Sequence, residues 1–288
     1  MDTKELKRLE VFAAQIRCNV LEMLEHTGYG HLGGALSIVE VLSVLYGKQM
    51  HIDPSQPHME DRDMFVLSKG HAGPALYSTL AQRGYFEKDI LMTLNEGGTC
   101  LPSHPDRLKT VGIDMTTGSL GQGTSAAAGI ATAQRIKQNN RYTYLVVGDG
   151  ELNEGQCWEA FQYIAHYKLN NCIVFIDDNK RQLDGYTKDV MNPFSIEDKM
   201  KAFGFHVQVV KGDDVAVIDQ AIEQAKCIND QAVCIILDTI KGQGVPYFEN
   251  MFSNHSVKFN NDEVKNANHE AIKGLKAFIA KEGTSCFD

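Results

Sequence analysis

Gly148-Asp149-Gly150-Glu151-Leu152-Asn153-Glu154-Gly155, joined at 175–180 by Phe-Ile-Asp-Asp-Asn-Lys, is the stretch that decides how this chain folds. Apolar runs at Leu145–Val147 and Cys172–Ile176 lead into the two polar segments. The span between them, Gln156 to Lys168, has helical spacing. This is a strand–helix–strand unit. Asp149 and Asn179 fall at the carboxyl ends of its strands, the edge at which parallel α/β sheets bind ligands. A carboxylate and an amide are hard oxygen donors, suited to Mg²⁺ or Ca²⁺ holding a phosphate ester. The glycines flanking Asp149 let a diphosphate approach backbone amides closely. Alone, Gly-Asp-Gly marks a turn as readily as a site. Its pairing with Asn179 at the same edge favours the metal–phosphate reading.

Outward from that unit, Leu6, Leu9, Phe12, Ala13, Ile16, Val20 and Leu24 predict a helix from Lys4 to His26, ending at Gly28. A second helix is expected from Ser37 to Tyr46. Met64–Leu67 reads as a short buried strand, after which Ser68-Lys69-Gly70-His71 turns into a helix reaching Gln82. The irregular stretch from Asn95 to Thr117 is longer than ordinary connections, which favours a functional loop. Alanine-rich Gln122–Gln138 predicts a helix, Phe205–Val210 and Val233–Leu237 predict strands around a helix at Asp214–Cys227, and Asp262–Ala280 predicts the last helix. Strand alternating with helix implies an α/β fold with a doubly wound, mostly parallel sheet and helices on both faces. One domain over residues 1–288 is the expected organisation.

Bulk properties exclude several classes. The 288 residues are 43% hydrophobic and 23% charged, ordinary for a globular protein. A net charge of −9 argues against a nucleic-acid partner. No apolar run approaches membrane-spanning length, and the start, Met-Asp-Thr-Lys-Glu-Leu-Lys-Arg, is charged rather than signal-like, so a cytoplasmic protein is expected. Cys18, Cys100, Cys157, Cys172, Cys227, Cys234 and Cys286 are scattered without a Cys-x-x-Cys and read as reduced thiols. The glycines at 118–123 lack the Gly-x-Gly-x-x-Gly spacing, and there is neither a Gly-x₄-Gly-Lys-[Ser/Thr] nor a His-Glu-x-x-His motif, which removes nucleotide and zinc-protease readings.

Four histidines stand in glycine- or proline-rich turns: His31 in Gly-Tyr-Gly-His-Leu-Gly-Gly, His71 in Ser-Lys-Gly-His-Ala-Gly-Pro, His104 in Leu-Pro-Ser-His-Pro and His255 in Phe-Ser-Asn-His-Ser-Val. Imidazole hydrogen-bonds phosphate and sugar oxygens and exchanges protons near neutral pH. His71 also precedes a helix N-terminus, a natural anion site.

Gly148-Asp149-Gly150 with Asp178-Asn179 resembles the thiamine-diphosphate signature, and the fuller version here, with Asp-Gly-Tyr-Thr at 184–187, resembles transketolase. The resemblance runs from His31 through His255 and implies the thiamine-diphosphate-binding fold. It implies that His71 and His255 contact the diphosphate, while His31, His104 and His255 face the reacting carbons of a sugar. It further implies a metal, Mg²⁺ with Ca²⁺ or Mn²⁺ as substitutes, on Asp149, the Asn179 side chain and the Arg181 carbonyl, with the Gly150 amide on the diphosphate. Gly118, Ser119 and Leu120 match the loop against the cofactor's rings, although Ser119 replaces a common proline. Lys258 stands where the family pattern has a second histidine. Glu154 and Glu159 match carboxylates lying between two cofactor sites; as a bare sequence feature they are also an ordinary acidic first turn of a helix.

The match covers only the first half of a typical transketolase. In the family the glutamate that activates the cofactor, the pocket for its pyrimidine and most contacts to a sugar phosphate come from a second domain across a subunit interface. The expectation is therefore a split enzyme that moves a two-carbon ketol unit between sugars or sugar phosphates. A C-terminal partner subunit supplies the pyrimidine-binding half in an α2β2 assembly. Alternatives are a donor bearing a sulfonate or a branched sugar, the large subunit of another thiamine enzyme such as a 2-oxoacid dehydrogenase, and a non-catalytic binding subunit.

Overall fold

In the computed structural model, which describes residues 1–283, five strands form one sheet: β1 (Met64–Leu67), β2 (Thr143–Gly148), β3 (Cys172–Asp178), β4 (Phe205–Lys211) and β5 (Ala232–Asp238). Their order is β1-β2-β3-β5-β4, and every neighbouring pair is parallel. Parallel sheets are covered on both faces, so their strands are apolar throughout rather than alternating. All six residues of β2 are buried. Tyr144, Val146, Ile173, Phe175, Val233 and Ile235 face a core shared with Phe12, Ile16, Leu76 and Ile222. Leu145, Val147, Val174, Ile176, Cys234 and Ile236 face the opposite core with Ala127, Ala131, Phe161 and Ile164. The expected doubly wound α/β architecture is the observed one.

Helix boundaries follow local chemistry. The first helix, Thr3–Thr27, is capped by the Asp2 carboxylate, which accepts from Glu5 N at 2.7 Å, and ends at Gly28, whose φ of 85° suits glycine. Helix Val215–Lys226 starts where Asp214 accepts from the amides of Ala216 and Val217. The second expected helix, Ser37–Tyr46, is corrected. Gly33–Leu36 and Val39–Val44 are separate helical pieces, and Leu45–Gln49 is a π-helical turn. Ser37 falls in the gap before Val39, where its hydroxyl reaches the Asp177 carboxylate at 2.7 Å and the Gly34 carbonyl at 3.3 Å. The segment 95–117 is irregular as expected, and Thr117 Oγ1 pins its end to the Leu67 carbonyl at 2.6 Å. Six cysteines are free thiols, and Cys286 lies outside the described residues.

Two close approaches fix the carboxyl edge. A methyl on Gly70 would stand 2.9 Å from Gly118 N, and one on Gly123 would stand 2.6 Å from Ser68 Oγ, so the loop at 117–121 lies directly on the turn after β1. Gly129, by contrast, is exposed on helix Gln122–Ile136 with open space around it. Thermal melting is therefore expected to show Gly123→Ala destabilised by about 1–3 kcal/mol through overpacking. Gly129→Ala is expected to be stabilised by about 0.5–1 kcal/mol through helix propensity.

Candidate active site

The carboxyl ends of β1, β2, β3 and β5 meet around Asp177. Its carboxylate accepts from Lys69 Nζ at 2.5 Å, Ser37 Oγ at 2.7 Å, Asn179 Nδ2 at 2.7 Å and Thr239 Oγ1 at 2.5 Å. Lys69 and Asp177 are both buried. Burial alone would raise the Asp177 carboxyl; the Lys69 charge and the three hydroxyl and ammonium hydrogen bonds outweigh it and hold the group below the usual range. Breaking such a buried pair by removing one partner costs about 3–5 kcal/mol.

Asp149 follows β2 and has a different environment. Its Oδ1 accepts from Gly150 N at 2.8 Å, whereas Oδ2 is buried and has no partner. Burial, then repulsion from Asp177 and Asp178, pushes its pKa up to about 7. Asn179 is fixed by its bond to Asp177, and its Oδ1 accepts from Arg181 N at 3.2 Å. The Arg181 side chain turns away, onto the Met251 carbonyl at 2.9 Å and the Tyr186 hydroxyl at 3.1 Å. Its backbone carbonyl instead accepts from Lys241 Nζ at 3.4 Å. An orphaned carboxylate oxygen, an amide oxygen and a carbonyl oxygen are donors that fit a hard divalent cation. Among the described residues no group of three His, Cys, Asp or Glu side chains could hold a metal, so the remaining ligands of such a cation would come from a bound molecule.

The four histidines converge. The His31 ring centroid lies 5.7 Å from that of His71, 5.6 Å from His104 and 5.3 Å from His255, and His71 lies 4.9 Å from His255. A two-residue antiparallel bridge, Tyr29–Gly30 with Val257–Lys258, joins the two ends of the chain, and Gly33 N donates to the Asn254 carbonyl at 2.8 Å. Burial lowers the pKa of all four. Charged neighbours, chiefly Lys69 for His71, Lys241 for His255 and His104 for His31, lower three of them further, and His255 falls to about 3. All four are thus neutral at pH 7, each with one N–H donor and one acceptor nitrogen.

These groups line a cavity of about 360 Å³ together with Gly118, Leu120, Gly150 and Glu154. Ser119 is not part of that wall, and Glu159 lies exposed on helix Gly155–His166. Lys69, Glu151 and Lys241 in the wall, and the fully buried Asp177 behind it, escaped the sequence reading. Glu151 is buried and accepts from Ser68 Oγ, Gly121 N and Gly148 N at 2.5, 2.8 and 3.1 Å, tying three loops together. Lys241 is buried too, and burial, then the Lys69 charge, lowers its pKa to about 8. Lys69 and Lys241 stood in the quoted or neighbouring glycine-rich turns, which was the only signal available.

The raised Asp149 pKa gives a signed expectation. The folded chain holds a proton there that the unfolded chain, at 3.8, releases sooner, so stability is lost as pH climbs from 3.8 through about 7. Metal-free Asp149→Asn is expected to melt several degrees above wild type at pH 8, with the gap closing as pH falls toward 4. Parallel melting curves at all pH values would contradict this account of the site.

Comparison with known proteins agrees with this geometry. The family profile described as "Transketolase, thiamine diphosphate binding domain" matches residues 9–280. The 6-deoxy-6-sulfo-D-fructose transketolase subunit SqwG of Clostridium sp. (strain MSTE9) is 48% identical over 269 residues, covering 93% of this chain and 94% of its own. One subunit of the apulose-4-phosphate transketolase of Phocaeicola vulgatus is 36% identical over 87% of this chain and 89% of its own. The solved transketolase of Campylobacter jejuni superposes with a TM-score of 0.85 at 27% identity, over 99% of this chain and 46% of that one. A transketolase variant from Pichia stipitis gives 0.83 at 28% identity, over 98% and 44%. The chain spans less than half the length of these solved enzymes. With the profile match running through nearly all of its described length, the chain belongs to the transketolase family.

Proposed function

We propose that this chain is the N-terminal, diphosphate-binding subunit of a two-subunit transketolase that moves a two-carbon ketol unit from a ketose to an aldose. The observation that carries the reading is one cavity containing both the unpartnered Asp149 carboxylate and four neutral, mutually close histidines. Relatives named as subunits match this chain along nearly their whole length, while the solved transketolases extend about twice as far. That contrast supports a separate partner subunit; in our reading it is C-terminal, carries the pyrimidine-binding half and its activating glutamate, and completes an α2β2 cytoplasmic enzyme. No described helix is long and apolar enough to cross a membrane.

Asp149 Oδ2, Asn179 Oδ1 and the Arg181 carbonyl would hold Mg²⁺, or Ca²⁺ or Mn²⁺ in its place. The Gly150 amide and the imidazoles of His71 and His255 would donate to the diphosphate. Gly118 and Leu120 would wall the cofactor's rings, while Ser119 between them is exposed. Thiamine diphosphate, when bound, supplies the carbon nucleophile and the electron sink for cleaving a bond next to a ketose carbonyl. The protein's share is proton traffic and orientation. His31 and His104, neutral at pH 7, can each take a proton from a sugar hydroxyl at one ring nitrogen and donate from the other, while His255, whose Nδ1 lies 3.1 Å from the Lys241 ammonium, would donate from Nε2. Glu154, at the cavity wall, would face the neighbouring subunit.

A second reading concerns the donor. The 48% identity to a protein named for 6-deoxy-6-sulfo-D-fructose favours a ketose with a terminal sulfonate over one with a phosphate. The proposed C-terminal partner would recognise that anion, so the two readings share every residue described above.

Mixing the chain with the product of the adjacent reading frame is expected to produce ketol transfer that neither component shows alone; strong activity from this chain by itself would overturn the split reading. In the mixed enzyme, His31→Ala and His104→Ala are expected to lower kcat by about 10²–10⁴-fold with little change in cofactor affinity. Asp149→Ala is expected to weaken cofactor binding, measured calorimetrically, by at least about tenfold. Rates with 6-deoxy-6-sulfofructose and fructose 6-phosphate then separate the two donors.

A further inference from the structure

His104 stands in Leu101-Pro102-Ser103-His104-Pro105, with a proline on either side of the Ser-His pair. A proline has no N–H, so neither Pro102 nor Pro105 can anchor this stretch through its amide. Among the described residues the His104 ring has no hydrogen-bond partner, so its direction is set by the backbone that carries it. Between Pro102 and Pro105 that backbone accepts two hydrogen bonds, both at proline carbonyls. Pro105 O accepts from Thr117 N at 3.1 Å, and Pro102 O accepts from the Tyr77 hydroxyl at 2.8 Å.

Tyr77 belongs to helix Gly73–Gln82, which continues the turn that carries His71. Gly73 and Tyr77 are four residues apart and share one helix face. A methyl on Gly73 would stand 3.3 Å from Pro105 Cδ and 3.5 Å from both the Ser103 carbonyl oxygen and Tyr77 Cε2. The segment 102–105 therefore lies across that face, and the helix that follows His71 also carries His104. Tyr77 is fully buried, and burial raises the pKa of its hydroxyl, which keeps the proton it donates.

We propose that Tyr77 is a positioning residue for ketol transfer: its hydroxyl, by holding the Pro102 carbonyl, sets His104 against His31. The inference rests on the reading of His104 as a group that exchanges protons with the sugar. Tyr77 itself is not part of the cavity wall and acts only through the loop. Misplacing a reacting group by about 1 Å can cost about 10²-fold in rate, so one hydrogen bond to its backbone is enough to matter.

Tyr77→Phe keeps the ring and deletes the hydroxyl. In the mixed two-subunit enzyme it is expected to lower kcat by about tenfold, with calorimetric affinity for thiamine diphosphate kept within about twofold. In a His104→Ala background the same substitution is expected to cost nothing further, because its effect runs through His104. Imidazole NMR signals of the full-length chain give a readout without turnover. The His104 signals, assigned by their loss in His104→Ala, are expected to move in Tyr77→Phe while those of His255 stay in place. An unchanged kcat, an equal loss in both backgrounds, or unmoved His104 signals would overturn the positioning role and leave the proposed function standing. Absence of ketol transfer in the wild-type mixture would instead remove the proposed function, and this inference with it.

Discussion

The 2.5 Å contact between the Lys69 ammonium and the Asp177 carboxylate, both buried, is the constraint on which the rest of the carboxyl edge depends. Asp177 lies one residue before the end of β3, Lys69 follows β1, Thr239 follows β5, and Ser37 belongs to the N-terminal segment. One carboxylate therefore gathers four separate parts of the chain. Its bond to Asn179 Nδ2 also decides which way that amide points, and Ser37, in the gap before Val39–Val44, is held to the same carboxylate. Structural role and site geometry cannot be separated here.

Charge distribution around that hub is uneven. Asp177 has four donors and stays ionised; Asp149 has one, and its second oxygen none. Burial without compensation is costly, and proteins tolerate it mainly where a ligand supplies the missing partner. The two buried lysines and the depressed pKa values of the histidines belong to one field. Burial, reinforced by positive charge beside three of the imidazoles, keeps them neutral, the state with one donor and one acceptor nitrogen.

Much of this was legible in the sequence. The apolar runs before Asp149 and Asn179 forced both onto one sheet edge, and each of the four histidines could be picked out by its turn. Transketolase family membership, inferred from those motifs, is borne out by the family match. Convergence was legible only through the resemblance, because His31 and His255 meet through a bridge between Tyr29–Gly30 and Val257–Lys258, segments with no strand-like pattern of their own. Asp177 was hidden by its neighbour: in Asp177-Asp178-Asn179 only the last two matched a motif, while the buried hub is the first. Lys69, Glu151 and Lys241 are residue types normally found on surfaces, and only their partners reveal why they are inside.

The central claim is that Asp149, Asn179 and Arg181 form one cation site at the diphosphate end of a cofactor cavity. Crystals grown with Mn²⁺ and thiamine diphosphate, with data collected near the manganese absorption edge, test it most directly. The account predicts an anomalous peak bounded by Asp149 Oδ2, Asn179 Oδ1 and the Arg181 carbonyl, with diphosphate density beside Gly150. A peak elsewhere, or diphosphate bound away from these residues, would contradict it.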